Sequence, residues 1–183
     1  MSSVPGDERL RLFCALRLPE PTVERLLAWQ RDEIAGEGVR ALAADHLHIT
    51  LAFLGSRPAS EVPEICRVLR ETAGETARPS LWPRLYRETA RVGMVVLAEE
   101  EPRHAHRLAG RLMLGLEELG VYRREFRSWL PHVTVARFRK PPRLRPPLPD
   151  LGTFSPSEAA LYHSVLRPSG AQYDVLESVA LGG

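Results

Sequence analysis

The chain has 183 residues and an ordinary share of apolar and charged residues, enough to bury a core without disulfide or metal staples. Its net charge is only +2, so no global field argues for coating DNA or adsorbing to a membrane. The opening stretch MSSVPGDERLRLFCALRL has no long apolar run and no cleavage-site pattern, so neither a signal peptide nor a membrane span is expected. Cys14 and Cys66 lack CxxC spacing, which argues against a disulfide framework or zinc site and for a cytoplasmic address.

In chain order, 9–18 alternates as a strand, and 19–37 carries Val23, Leu26, Leu27, Gln30 and Ile34 at helical spacing behind a proline start signal. A short extended piece at 39–42 leads to an apolar strand, LHITLAFLG, expected to stop at Gly55. A second helix spans 59–77, with Val62, Ile65, Cys66 and Leu69 on one face. Strands at 80–88 and 91–99 precede a third helix at 102–119, ended by Gly120. Another strand, LPHVTVARF, covers 130–138, and the proline-rich stretch RKPPRLRPPLPD at 139–150 reads as an extended loop. Two last strands, 157–166 and 172–181, flank the turn Arg167-Pro168-Ser169-Gly170. The pattern predicts one α+β domain over 1–183. Its two pseudo-symmetric lobes would carry antiparallel sheets lining a central groove, with helices outside.

His48-Ile49-Thr50-Leu51 and His132-Val133-Thr134-Val135 write one phrase twice, each in an apolar, β-branched frame. Alternation puts each histidine on the same strand face as the threonine two residues on. One copy alone is a weak motif; two matched copies are not. Imidazoles with ordinary pKa near 6.5 can hold opposite protonation states at neutral pH, one taking a proton and the other giving one. Each role is worth on the order of 10²–10⁴ in rate. Threonine hydroxyls and arginine forks would stabilise growing charge on oxygen. With no nucleophilic side chain and no metal in the set, the chemistry expected is in-line hydrolysis of a phosphodiester. A strained 2′,3′-cyclic phosphate is its natural substrate.

These residues resemble the 2H phosphoesterases, and among them the bacterial RNA 2′,3′-cyclic phosphodiesterases, also called 2′-5′ RNA ligases. The likeness runs from RLFCALRLPE through HLHITLAFLG and PHVTVARF to LYHSVLRPSGAQYDVLESVAL, with Ser164, Gly170 and Tyr173 in the closing hairpin. The resemblance implies His48 as proton donor to the leaving 3′-oxygen and His132 as the base that activates water. It also implies Thr50 and Thr134 on the phosphate, Arg137 beside it and Phe53 stacking near a base. RNA ends or nucleoside 2′,3′-cyclic phosphates would be the partners of a monomer that needs no cofactor. The alternatives are a non-catalytic RNA-end or nucleotide-binding protein on the same fold, and 2′-5′ ligation. Val92-Gly93-Met94 departs from the family, which favours tryptophan there. On a regular strand an offset of five puts Phe53 and Arg137 on the face opposite their histidines, so both need a bulge or twist to reach the groove.

Other residues carry weaker signals. His46, His48 and His132 could form a metal set, but no carboxylate completes it and His46 is expected in the loop ahead of the strand. His104 and His106 fall two apart on a helix and read as surface residues, and His163 as structural. The basic loop Arg139, Lys140, Arg143 and Arg145 could guide an RNA backbone. All but one of the chain's 25 Lys and Arg residues are arginine, which suits phosphate, although a GC-rich genome would produce the same bias. Trp129, beside the second motif strand, could edge the groove. Neither a GxSxG elbow nor a phosphate-binding loop is present.

Overall fold

The structure is a computed structural model describing residues 8–182. Eleven named elements beyond two short 3-10 turns follow in order: β1 (Arg9–Arg17), α1 (Glu20–Glu33), β2 (Val39–Ala41), β3 (His48–Pro58), α2 (Val62–Gly74), β4 (Leu81–Glu88), β5 (Val92–Glu99), α3 (His104–Glu118), β6 (His132–Phe138), β7 (Glu158–Arg167) and β8 (Gly170–Ala180). The strands form two four-stranded antiparallel sheets, ordered β3-β1-β7-β8 and β2-β6-β5-β4. The α+β architecture of two sheets with helices is the one the sequence predicts. Among the described residues, no helix is long and apolar enough to cross a membrane.

Strand alternation decides what each sheet face does. In β1, Leu12, Cys14 and Leu16 point into the main core, which also holds Ile49, Leu51, Val95, Val133, Val135 and Leu161 from both sheets. Phe13 and Ala15 point the other way and join Ala160 and Tyr162 in a second, small cluster. Each fully buried leucine is worth roughly 1.5–3 kcal/mol in removed apolar surface. The larger cluster therefore holds the sheets together, and the smaller one forms a floor for whatever lies above it. On α2, Ile65, Cys66, Leu69 and Ala73 are buried, and α3 answers with Leu108, Leu112 and Leu116. Gly115 lets these helices approach: a Cβ there would come 2.7 Å from Val68 Cγ1. Cys14 and Cys66 are both buried free thiols.

Several boundaries differ from expectation. Helix α1 stops at Glu33 rather than 37, because Gly36 and Gly38 follow and Gly38 takes a left-handed φ of 73°. β3 continues past Gly55 to Pro58. Gly55, at φ 69°, is absorbed as an irregularity in the pairing, and Leu10 and Arg9 still pair with Arg57 and Pro58. A short 3-10 turn, Ala59–Glu61, precedes α2, which ends at Gly74 rather than 77. The closing hairpin is tight: Arg167 pairs with Gly170 across Pro168 and Ser169.

Candidate active site

The two motif strands share more than their letters. From the histidine onward, β3 (HITLAFL) and β6 (HVTVARF) show the same sequence of burial, position by position, with two consecutive buried residues after each threonine. Those residues are Leu51-Ala52 and Val135-Ala136. The pairing explains them. Between β1 and β3 the register slips so that Leu51 has no partner, Ala15 facing Thr50 and Cys14 facing Ala52. Between β5 and β6 Val135 is skipped in the same way, Met94 facing Thr134 and Gly93 facing Ala136. One extra residue moves every later side chain to the other face. The offset of five thus brings Phe53 and Arg137 to the same side as His48, Thr50, His132 and Thr134. The β6 bulge is pinned from behind, since Val135 O accepts from Leu42 N at 2.9 Å and from the buried Gln30 Nε2 at 2.6 Å. Gln30 Nε2 also donates to Leu42 O at 3.2 Å.

His48, Thr50, Phe53, Thr134 and Arg137 line one groove of about 570 Å³. His132 lines an adjoining pocket of about 520 Å³ that shares Thr50 and Phe53 with the first. All six residues singled out from the sequence therefore border one continuous depression. The first groove adds Arg11, Arg40, His46, Ser164 and Tyr173, and among the described residues no carboxylate lines it. A nearly neutral protein has concentrated cationic and hydroxyl donors on one surface. Arg11 lies with its guanidinium carbon 4.8 Å from the centre of the Phe53 ring, which holds that exposed ring in place. Arg11 was not singled out from the sequence; the signal was its place two residues before Phe13, on the same face of β1. Arg40 reaches the groove only because β2 pairs with β6 opposite Arg137, which no local pattern reveals.

The two histidines sit in different surroundings. His48 packs against Phe13, with centroids 5.0 Å apart and rings 29° from parallel, and meets the edge of Tyr173 at 5.6 Å. Burial first, then the positive charge of His46, His132 and Arg137, pushes its pKa down to about 4. Its Nδ1 is buried without a hydrogen-bond partner. A second proton there would be an unpaired buried donor, so the resting ring is neutral. His132 donates from Nδ1 to the Leu130 carbonyl at 2.8 Å, because a carbonyl can only accept. In the neutral ring this leaves Nε2 as a bare acceptor.

A second tie joins the lobes. Trp129 Nε1 donates to Thr50 O at 3.0 Å, linking the segment before β6 to the middle of β3. His106 presses edge-on against Trp129 at 5.0 Å, and its Nδ1 meets Glu99 Oε2 at 2.7 Å. The Glu99 side chain is fully buried and also accepts from Ala105 N and His106 N, which caps α3. His106 is therefore packed behind the site, not a free surface residue. His46 lies in a 3-10 turn, Ala44–His46, and its Nε2 donates to Ala171 O at 2.8 Å, so that nitrogen is not offered to a metal. His163 borders neither pocket, and no residue of 139–150 does. That loop packs along α1, where Trp29 Nε1 donates to Pro147 O at 2.8 Å. At the departure 92–94, Gly93 lies beneath the Tyr86 hydroxyl, which a Cβ would meet at 2.3 Å, and Met94 lines the second pocket.

Residues 16–81 match the family described as LigT like Phosphoesterase. The chain is 35% identical to the RNA 2′,3′-cyclic phosphodiesterase of Thermus thermophilus, over 95% of this chain and 91% of that protein. It is 29% identical to the protein of the same name from Escherichia coli, over 96% and 98%. The crystal structure of TT0787 of Thermus thermophilus superposes with a TM-score of 0.82 at 31% identity, covering 95% of this chain and 99% of that one. Two matched histidine strands, two sheets and near full-length similarity lead to one conclusion: the chain belongs to the LigT-like, or 2H, phosphoesterases.

Proposed function

We propose that this protein hydrolyses RNA or nucleotide 2′,3′-cyclic phosphodiesters to 2′-phosphates by metal-independent acid–base catalysis between His48 and His132. The observation that carries the reading is the pair of identically bulged His-x-Thr strands facing an arginine-lined groove free of carboxylates among the described residues. A phosphodiester monoanion is the ligand such a groove stabilises best. His132, with Nε2 unprotonated, takes a proton from water as the oxygen attacks phosphorus. The P–O3′ bond opens opposite the attacking water, and His48 delivers its proton to the departing 3′-oxygen. Thr50, Thr134 and Arg137 hold the non-bridging oxygens, where charge grows. Phe53, braced by Arg11, offers an exposed face for a base. Both histidines come from one chain, which supports action as a monomer. Two buried, unpaired cysteines fit a reducing cytoplasm.

The test is turnover of adenosine 2′,3′-cyclic phosphate with excess chelator present, following the product by chromatography. The expected product is adenosine 2′-phosphate at an undiminished rate. Binding without turnover would favour a nucleotide-binding protein on this fold, and a 3′-phosphate product would reverse the roles given to the two oxygens.

A further inference from the structure

A neutral histidine is a base only at the nitrogen that carries no proton. In water the ring keeps its proton mainly on Nε2, the nitrogen that His132 has to offer to the attacking water. The hydrogen bond from His132 Nδ1 to the Leu130 carbonyl, at 2.8 Å, reverses that preference. The base therefore depends on where one carbonyl stands. Leu130 ends the run 123–130, which lies outside helix and strand and in which every residue but Trp129 is exposed. One residue on, Pro131 is already tied to β5, its carbonyl accepting from Leu97 N at 2.9 Å. On the other side of Leu130 the hold is the Trp129 side chain.

That indole is set in place from both lobes. Its Nε1 donates to Thr50 O at 3.0 Å, and its ring meets His106 edge-to-face at 5.0 Å. His106 is itself locked, since Nδ1 donates to the buried Glu99 carboxylate at 2.7 Å and Nε2 accepts from Arg103 at 2.6 Å. β3 is the edge strand of its sheet, with a strand on one side only, so the indole adds a hold on Thr50 that comes from the β6 lobe. We propose that Trp129 is a positioning residue: its N–H anchors the Leu130 carbonyl, so that it selects the His132 tautomer and fixes that base against Thr50 on the His48 strand. This rests on the phosphodiesterase reading above. The work is done by one N–H, not by ring area, so a change that keeps the ring and removes the donor should lose it. Trp129 also borders the pocket beside His132, which makes direct substrate contact the competing role.

Two variants of the full chain test this. Trp129→Phe keeps an aromatic ring without a donor. Trp129→benzothienylalanine keeps the bicyclic shape and puts sulfur where the N–H was, which covers the case in which the phenylalanine variant does not fold. Nitrogen NMR of the His132 ring at neutral pH should find the proton on Nδ1 in the wild type and mainly on Nε2 in the variants. Their kcat for adenosine 2′,3′-cyclic phosphate should fall about tenfold, as expected when a base is misplaced by a fraction of an ångström. KM, and affinity for adenosine 2′-phosphate, should stay within twofold of wild type, because the groove that holds the phosphate is untouched. A merely structural tryptophan would lower the folded fraction and leave the tautomer of the folded protein as it was. That unchanged tautomer would overturn the proposal, and so would a rise in KM with kcat preserved, which would make Trp129 a substrate contact. A tautomer switch in the variants of a protein whose wild type turns over no cyclic phosphate would support the anchor and sink the phosphodiesterase reading instead.

Discussion

His48 is neutral at rest and yet is the group proposed to give a proton away. Burial, and then the neighbouring His46, His132 and Arg137, hold its pKa near 4 in the open groove. A phosphodiester placed between Thr50, Thr134 and Arg137 brings the negative charge that favours the imidazolium, so the ligand itself arms the acid. The expected outcome is a rise: the His48 ring proton, followed by NMR, titrates near pH 4 in the free protein and at distinctly higher pH with adenosine 2′-phosphate bound. An unchanged midpoint would contradict the assignment. His132 presents the opposite case, a ring whose Nδ1 is committed as a donor to Leu130 O, so that Nε2 is the acceptor of its neutral form. His132→Ala should lower kcat for cyclic phosphate hydrolysis by roughly 10²–10⁴ while leaving affinity for the 2′-phosphate product within a few-fold. A loss confined to KM would mean that His132 binds rather than catalyses.

At the scale of elements, one inserted residue directly after each motif threonine converts two ordinary β-strands into the walls of a site. His48 with Thr50, and His132 with Thr134, were legible because period-two alternation alone sets their face. Phe53 and Arg137 were named from family resemblance but could not be placed, since a bulge is a property of pairing with a neighbour and leaves no mark on its own strand's letters. Gln30 was read as one position of a helical stripe. Its role is to hold the bulge carbonyl of Val135, a contact 105 residues away in sequence. Gln30→Leu keeps the volume and removes both donors, leaving the Leu42 carbonyl short of a partner. The expected cost is about 1–3 kcal/mol in urea unfolding. Because Arg137 follows the bulge by two residues, kcat/KM should fall at the same time. Lost stability with unaltered kinetics would show that the bulge holds its shape without Gln30.

For the whole molecule, the groove depends on two sheets that share one core while turning their second faces toward a common opening. The succession of strands and helices along the chain followed from local patterns. The convergence of Arg11, Arg40 and Arg137 did not, because it is set by pairing between segments distant in the chain. The same arrangement makes stability depend on acid. His48 titrates near 6.5 when unfolded and near 4 when folded, so between those values the unfolded chain binds more protons. Its contribution is therefore intact above about pH 6.5 and is lost as pH falls toward 4. At roughly 1.4 kcal/mol per pH unit, the loss attributable to His48 between pH 6.5 and 5 is about 2 kcal/mol. That is a sizeable part of a typical domain's 5–15 kcal/mol, reached before most carboxylates titrate (about pH 4). Urea unfolding of the wild type and of His48→Gln at pH 7 and pH 5 isolates the effect, because only the difference between the two pH values matters. The wild type should lose about 2 kcal/mol more than the variant; equal losses would mean that the resting His48 ring is not held neutral by its aromatic and cationic surroundings.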